Sequence, residues 1–163
     1  MTPKKLNARI VTLITARLVD EYHAFHQYQA ASNWCRGAGY AKAGEFFLKE
    51  SDDELVHARK IQSFLTDWNI TVSLPNVAQP QIEFKSLVEV IEVGYAAELA
   101  LYDAYNEICG TIEELDSAVY QFLTQFLTIQ TESVAQYSDM LNLLQSVEPT
   151  KINLLLLEKK LFG

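Results

Sequence analysis

The sequence predicts an all-α protein, a four-helix bundle with a short fifth helix at its carboxyl end. Four long segments repeat apolar residues every three or four positions, and no segment shows the alternation of a β-strand. A long connection separates the second segment from the third, and two hairpins joined by one long crossover are a known bundle topology. With 163 residues, the chain is expected to form one domain over residues 1–163.

Residues that start and stop helices predict where each helix lies. Pro3 suits the first turn of the first helix, and Gly37 suits the position after its end. Thr111 and Glu114 have the spacing of a capping box, which predicts the start of the fourth helix. The predicted helices span residues 2–36, 42–68, 85–109, 111–147 and 150–161, with a long crossover between the second and the third.

Composition excludes several classes of function. The chain has 13 Lys and Arg residues against 21 Asp and Glu residues, a net charge of -8. This balance argues against binding to nucleic acid and to anionic membranes, which basic surfaces bind. No signal peptide or membrane span is visible in the sequence. Cys35 and Cys109 lack the spacing of a metal site and indicate reduced, buried thiols in a cytoplasmic protein.

The most informative motif is Glu54-Leu55-Val56-His57 in the second predicted helix. It places a carboxylate and an imidazole on one helix face, about 4.5 Å apart along the axis. The apolar pattern around the motif predicts that this face points inward. Such a pair alone is a weak signal, because a solvent-exposed helix face with the same two residues is common.

Three other predicted helices also interrupt their apolar stripes with a polar residue near the middle. These residues are Glu21, Glu98 and Gln130. Because the middles of antiparallel helices of similar length meet, we expect the interruptions to meet inside the bundle. Buried carboxylates are rare unless they are paired or bind a metal, and no Lys or Arg lies on the four stripes. Carboxylate and imidazole donors suit Fe(II), Mn(II) or Zn(II).

With these residues in place, the chain resembles a family over nearly its whole length. It resembles the ferritins, specifically the non-haem bacterial or heavy-chain-like kind with a di-iron ferroxidase centre inside each subunit. The resemblance is carried by Glu21-Tyr-His-Ala-Phe-His-Gln-Tyr28, Trp34-Cys35, Glu54-Leu-Val-His57, Glu98 and Gln130.

The resemblance implies a role for each of these residues. Glu21 and His57 would hold a first iron, Glu54 would bridge two irons, and Glu98 would hold the second. Gln130 would lie beside the centre as a further ligand or a partner of its water and oxygen ligands. The resemblance also implies that Tyr28 is a nearby redox-active or orienting phenol. The implied metal content is two Fe(II) or Fe(III) ions per subunit.

The chain departs from its relatives at three places. Symmetric di-iron bundles carry a second Glu-x-x-His on the last long helix, but this chain has Gln130-Thr-Glu-Ser133 there, which predicts an asymmetric centre with a weaker second iron site. Leu55 replaces the Met of haem-binding relatives, so no haem is expected. The positions of a third iron site found in some prokaryotic ferritins are degraded, which predicts its absence; they read Asp53, Ile129, Glu132 and Ser133.

The function implied by the resemblance is iron storage and detoxification. Fe(II) would be oxidised by dioxygen or hydrogen peroxide and stored as ferric mineral in a homo-oligomeric cage of 24 subunits in the cytoplasm. The apolar run Leu154–Leu157 would then pack around a four-fold axis, although it could instead pack on its own bundle. Two alternatives remain open: a di-iron carboxylate oxidoreductase of the same fold that stores nothing, and a structural subunit. The role of Glu50, one turn before Glu54, also stays open.

Overall fold

A computed structural model describes residues 1–111 and 116–163 of the chain. Within these ranges the backbone forms α-helices and no strand, which confirms the all-α prediction. The helices are α1 (Ala8–Gly37), α2 (Ala41–Asp67), α3 (Leu87–Thr111), α4 (Ser117–Leu144) and α5 (Lys151–Phe162).

The four long helices are arranged as two hairpins. A short turn joins α1 to α2, and its Gly39 has a φ of 87°, a left-handed value that glycine adopts without strain. The two helices of each hairpin, α1 with α2 and α3 with α4, pack along each other. Residues 68–86 form the long connection between the hairpins, as the sequence predicts.

The first helix begins later than predicted. Asn7 is the residue before α1, and its side chain accepts a hydrogen bond from the backbone N–H of Arg9 at 2.8 Å. This cap satisfies one of the free N–H groups at the helix start, so α1 begins at Ala8. The prediction that Pro3 lies in the first turn is therefore wrong, because a side-chain cap further along the chain sets the helix start.

The predicted start of the fourth helix, at Thr111, is also wrong. Asp116 has an extended backbone, with φ -69° and ψ 159°, and its side chain accepts a hydrogen bond from Val119 N–H at 3.0 Å. The fourth helix therefore begins at Ser117, whereas Thr111 is the last residue of α3. The other half of the predicted capping box, Glu114, lies outside the described residues.

The described core is apolar apart from a small set of buried polar side chains. Buried carboxylates and amides cost free energy unless they have partners, so each of them requires an explanation. All five predicted metal-site residues belong to this set, which comprises Glu21, Gln27, Ser32, Ser51, Glu54, His57, Glu98, Gln130 and Glu158.

The short helix α5 has one face on the bundle and one face in solvent. Glu158 accepts a hydrogen bond from the backbone N–H of Ala43 at 2.9 Å, so its carboxylate lies at the amino end of α2, where the helix dipole favours negative charge. Leu154 is buried beside it. On the other side, Ile152 and Leu156 are 70% and 76% exposed. The apolar run thus packs on its own bundle only in part.

No helix in residues 1–111 and 116–163 combines the length and the apolar character needed to cross a lipid bilayer.

Candidate metal centre

Three metal-competent side chains converge in the core of the first hairpin. Oxygen or nitrogen atoms of Glu21, Glu54 and His57 all lie within 4.8 Å of one another, and all three side chains are buried. Nδ1 of His57 lies 3.1 Å from Oε2 of Glu54 and 3.5 Å from Oε2 of Glu21. Two carboxylates and an imidazole at this spacing form a candidate site for a divalent metal such as iron, manganese or zinc.

Local helix geometry and packing orient this group. Glu54 and His57 lie one turn apart on α2, so both point to the same side. The ring of Phe126 on α4 packs against the His57 ring at a centroid distance of 5.9 Å and an angle of 78°. Glu21 reaches the pair from α1 across the tightly packed first hairpin.

Glu98 on α3 is buried but does not join this group. The hydroxyl of Tyr28 on α1 donates a hydrogen bond to its Oε1. Its Oε2 is buried and accepts no hydrogen bond. A buried carboxylate oxygen without a partner is costly, and a bound cation would supply one.

Gln130 on α4 is completely buried, and both polar atoms of its amide lack a hydrogen-bond partner. An amide offers one acceptor and two donor hydrogens, so it can bind a metal or orient a water molecule. The structure therefore brings together three of the five predicted ligands and leaves Glu98 and Gln130 in the core with free polar atoms.

A second tyrosine, which is not among the predicted site residues, also contacts this group. The hydroxyl of Tyr105 on α3 donates a hydrogen bond to Oε1 of Glu21 at 2.5 Å. A signal for it was present in the sequence, because Tyr105 follows Glu98 by the same number of residues as Tyr28 follows Glu21. Two helical turns separate the residues of each pair.

Burial and mutual repulsion shape the protonation of the carboxyl groups. Burial, reinforced by Glu21 and Glu98, holds the pKa of Glu54 well above its usual range. Burial also raises the pKa of Glu98 to about 7, although the Tyr28 hydrogen bond acts in the opposite direction. For Glu21 burial acts upward as well, but His57, Glu54 and Tyr105 outweigh it and lower the pKa. A bound cation would relieve this repulsion.

A groove of about 640 Å³ lies between α2 and α4. It is lined by all four positions of the predicted degraded third site, Asp53, Ile129, Glu132 and Ser133, and also by Glu50. Burial, followed by the charge of Asp53, raises the pKa of Glu50 to about 7. Ile129 offers no metal ligand, and the absence of a third iron site stays a prediction.

Comparison with known proteins decides the family. The model of the ferritin-like domain matches residues 11–147, which is most of the chain. The chain belongs to the ferritin family. The resemblance seen in the sequence is thereby confirmed, and family membership supports iron storage as the function of this ferritin.

Proteins similar to this ferritin include bacterial non-haem ferritins. A probable bacterial non-haem ferritin-like protein from Haemophilus influenzae is 28% identical over 157 residues, which cover 96% of this chain and 95% of that protein. A bacterial non-haem ferritin from Staphylococcus saprophyticus is 26% identical, with 96% and 94% covered.

A solved structure supports the fold. An open-pore ferritin from the archaeon Archaeoglobus fulgidus superposes with a TM-score of 0.89 at 24% identity, covering 96% of both chains. This similarity confirms the ferritin-like bundle with its short fifth helix.

Proposed function

We propose that this ferritin is a ferroxidase that oxidises Fe(II) at a two-iron centre and stores the product as ferric mineral. The observation that carries the proposal is the convergence of Glu21, Glu54 and His57 in a buried core, with donor atoms within 4.8 Å of one another. Glu98 and Gln130, both buried with free polar atoms, complete the proposed ligand set.

Each residue has a role that its position supports. Glu21 and His57 would bind the first Fe(II), and Glu54 would bridge to the second. Glu98 would bind the second Fe(II) through its free Oε2, while Gln130 would bind or orient a water or oxygen ligand. The three carboxylates bring together negative charge that two divalent cations would compensate.

The reaction needs little from the protein beyond binding and orientation. Each Fe(II) substrate gives one electron to dioxygen, or to hydrogen peroxide as an alternative oxidant. The buried ligands would hold the two ions next to each other, so that one oxidant molecule can take both electrons at the same site. Tyr28, which donates a hydrogen bond to Glu98, is positioned to orient that ligand.

Substitution of the metal ligands tests the ferroxidase proposal. We expect two Fe(II) ions per chain in an anaerobic titration of the unmodified protein. Glu54→Ala and His57→Ala are expected to lose rapid Fe(II) oxidation while keeping the circular dichroism spectrum of a helical bundle. Asp53→Ala, an exposed acidic neighbour on α2, is the matched control and is expected to keep the rapid phase. Unchanged oxidation in Glu54→Ala and His57→Ala would refute the assignment.

We further propose that the subunits assemble into a hollow homo-oligomeric cage of 24 subunits. The exposed apolar face of α5, with Ile152 and Leu156, supports assembly because such a face is unfavourable in water. Light scattering is expected to give a mass far above that of the 18.5 kDa chain. The double variant Ile152→Glu, Leu156→Glu is expected to give smaller, still helical species.

A non-storing di-iron oxidoreductase of the same fold is the alternative to this storage proposal. A mass of one or two chains for the unmodified protein, combined with rapid Fe(II) oxidation, would favour it.

A cytoplasmic location is part of the proposal, supported by Cys35 and Cys109, which are both free thiols.

A further inference from the structure

The two tyrosines at the centre form a reciprocal pair of contacts. Tyr28 on α1 donates to Glu98 on α3, and Tyr105 on α3 donates to Glu21 on α1. Each tyrosine lies seven residues after the glutamate of its own helix. Because the contacts run in opposite order along the two helices, α1 and α3 are antiparallel here, and each tyrosine faces the glutamate of the other helix.

The two glutamates are treated alike by these contacts. In each of them Oε1 accepts the tyrosine hydroxyl, whereas Oε2 is buried and accepts no hydrogen bond. Oε2 of Glu21 differs in that it faces Nδ1 of His57 at 3.5 Å. An unsatisfied buried oxygen is unfavourable, and more so when it is charged. Two such oxygens indicate that Glu21 and Glu98 each offer one oxygen without a hydrogen bond to a ligand that carries positive charge.

Aromatic packing holds both phenol rings in place. The Tyr105 ring stacks on Phe126 at a centroid distance of 5.0 Å. The Tyr28 ring stacks between Phe47 at 6.0 Å and Tyr137 at 6.4 Å. Both rings are buried. The rings are therefore rigid supports for the two carboxylates.

We propose that Tyr105 is a positioning residue that makes Glu21 a one-oxygen metal ligand, as Tyr28 does for Glu98. A carboxylate that binds through both oxygens occupies two coordination positions, whereas one whose second oxygen is engaged by a phenol occupies one. The two tyrosines thus keep coordination positions open for the oxidant at both irons, as catalytic metal sites require. This proposal rests on the proposed ferroxidase function.

Cobalt binding tests the role of Tyr105 without any oxidation step. The visible absorption of Co(II) weakens as its coordination number rises. Tyr105→Phe is expected to weaken the absorption of the first bound Co(II), because Glu21 can then bind through both oxygens. Tyr28→Phe is expected to change the second bound Co(II) instead. Loss of such a supporting hydrogen bond is also expected to lower the affinity of the affected ion about 10–100-fold.

Tyr102→Phe is the matched control, since Tyr102 lies on the same helix three residues before Tyr105 and is only half-buried. It is expected to leave both Co(II) spectra unchanged. Identical spectra and affinities for Tyr105→Phe and the unmodified protein would overturn the proposal and make Tyr105 a core ring. If the unmodified protein binds no Co(II), the metal centre itself is wrong, which separates the two failures.

A crystal structure of the unmodified protein soaked with Zn(II) gives a second test that does not depend on the folding of a variant. The expected result is Zn(II) on Oε2 of Glu21, with Oε1 still bonded to Tyr105. A Glu21 that binds Zn(II) through both oxygens, with the Tyr105 contact broken, would contradict the proposal.

Discussion

The two hairpins contribute to the centre in different ways. The α1–α2 hairpin supplies Glu21, Glu54 and His57, whose donor atoms already converge within 4.8 Å. The α3–α4 hairpin supplies Glu98 and Gln130, which are buried but do not join that group. Two of the first three residues lie one turn apart on one helix, so backbone geometry brings them together. The positions of Glu98 and Gln130 relative to that group depend instead on how the second hairpin packs on the first.

This difference gives a physical reason for an asymmetric centre. In the proposed assignment, the ligands of the first position already lie close together, since their donor atoms are within 4.8 Å of one another and Phe126 packs against His57. In the same assignment, the second position would share Glu54 and would rely on Glu98, whose Oε1 accepts a hydrogen bond from Tyr28. We therefore expect sequential binding, with the tighter ion on the Glu21 side.

The largest expected effect is on metal affinity, where single substitutions are expected to weaken one of the two bound ions and not the other. His57→Ala is expected to weaken the first metal ion and Glu98→Ala the second, each by about 100-fold or more, since direct ligands matter at least as much as their supporting partners. Isothermal titration with Co(II) measures both affinities.

Glu92→Ala, an exposed glutamate on α3, is the control for Glu98→Ala. Equal weakening of both ions by His57→Ala and by Glu98→Ala would show that the two halves of the centre do not act separately.

A smaller effect is expected on the stability of the metal-free protein. Glu98→Gln removes a buried carboxyl whose pKa is about 7 in the folded protein, against 4.5 for an unperturbed glutamate side chain. Because the folded state holds this proton more tightly than the unfolded chain, the contribution of Glu98 to the free energy of unfolding falls as pH rises from 4.5 to 7.

The increase in the free energy of unfolding caused by Glu98→Gln is therefore expected to be small at pH 4.5 and to reach about 1–3 kcal/mol above pH 7. Urea unfolding in the presence of a chelator, at one protein concentration, measures it. Glu92→Gln is the matched control and is expected to show no such trend. A gain from Glu98→Gln that does not change with pH would mean that Glu98 is not protonated in the folded protein.

The smallest expected effect concerns the groove between α2 and α4. Asp53→Asn combined with Glu132→Gln is expected to leave the number of tightly bound metal ions per chain unchanged, because two of the four third-site positions, Ile129 and Ser133, carry no carboxylate. Anaerobic titration followed by metal analysis checks this. A loss of one bound ion from the double variant would reveal a third metal position there and would extend the asymmetry beyond the two hairpins.

The sequence was most informative where a short spacing decides the geometry. The pair Glu54 and His57 could be placed on one inward face because residues three apart on a helix lie side by side. The interrupted apolar stripes then indicated Glu21, Glu98 and Gln130, which are all buried in the folded chain, and the family resemblance supplied only their expected roles. Helix starts were predicted less accurately. Pro3 and Thr111 carry starting signals, but the side chains that cap the helices are those of Asn7 and Asp116, further along the chain.

By itself, the sequence determined the bundle, its long crossover and the polar interruption of each apolar stripe, because these follow from periodicity along one chain. Only the tertiary structure decided which oxygen of Glu21 and Glu98 accepts the hydroxyl of Tyr105 or Tyr28 and which accepts no hydrogen bond. It also decided which face of α5 remains in solvent. Contacts between helices depend on register and side-chain rotation, and periodicity within one helix carries no information about either.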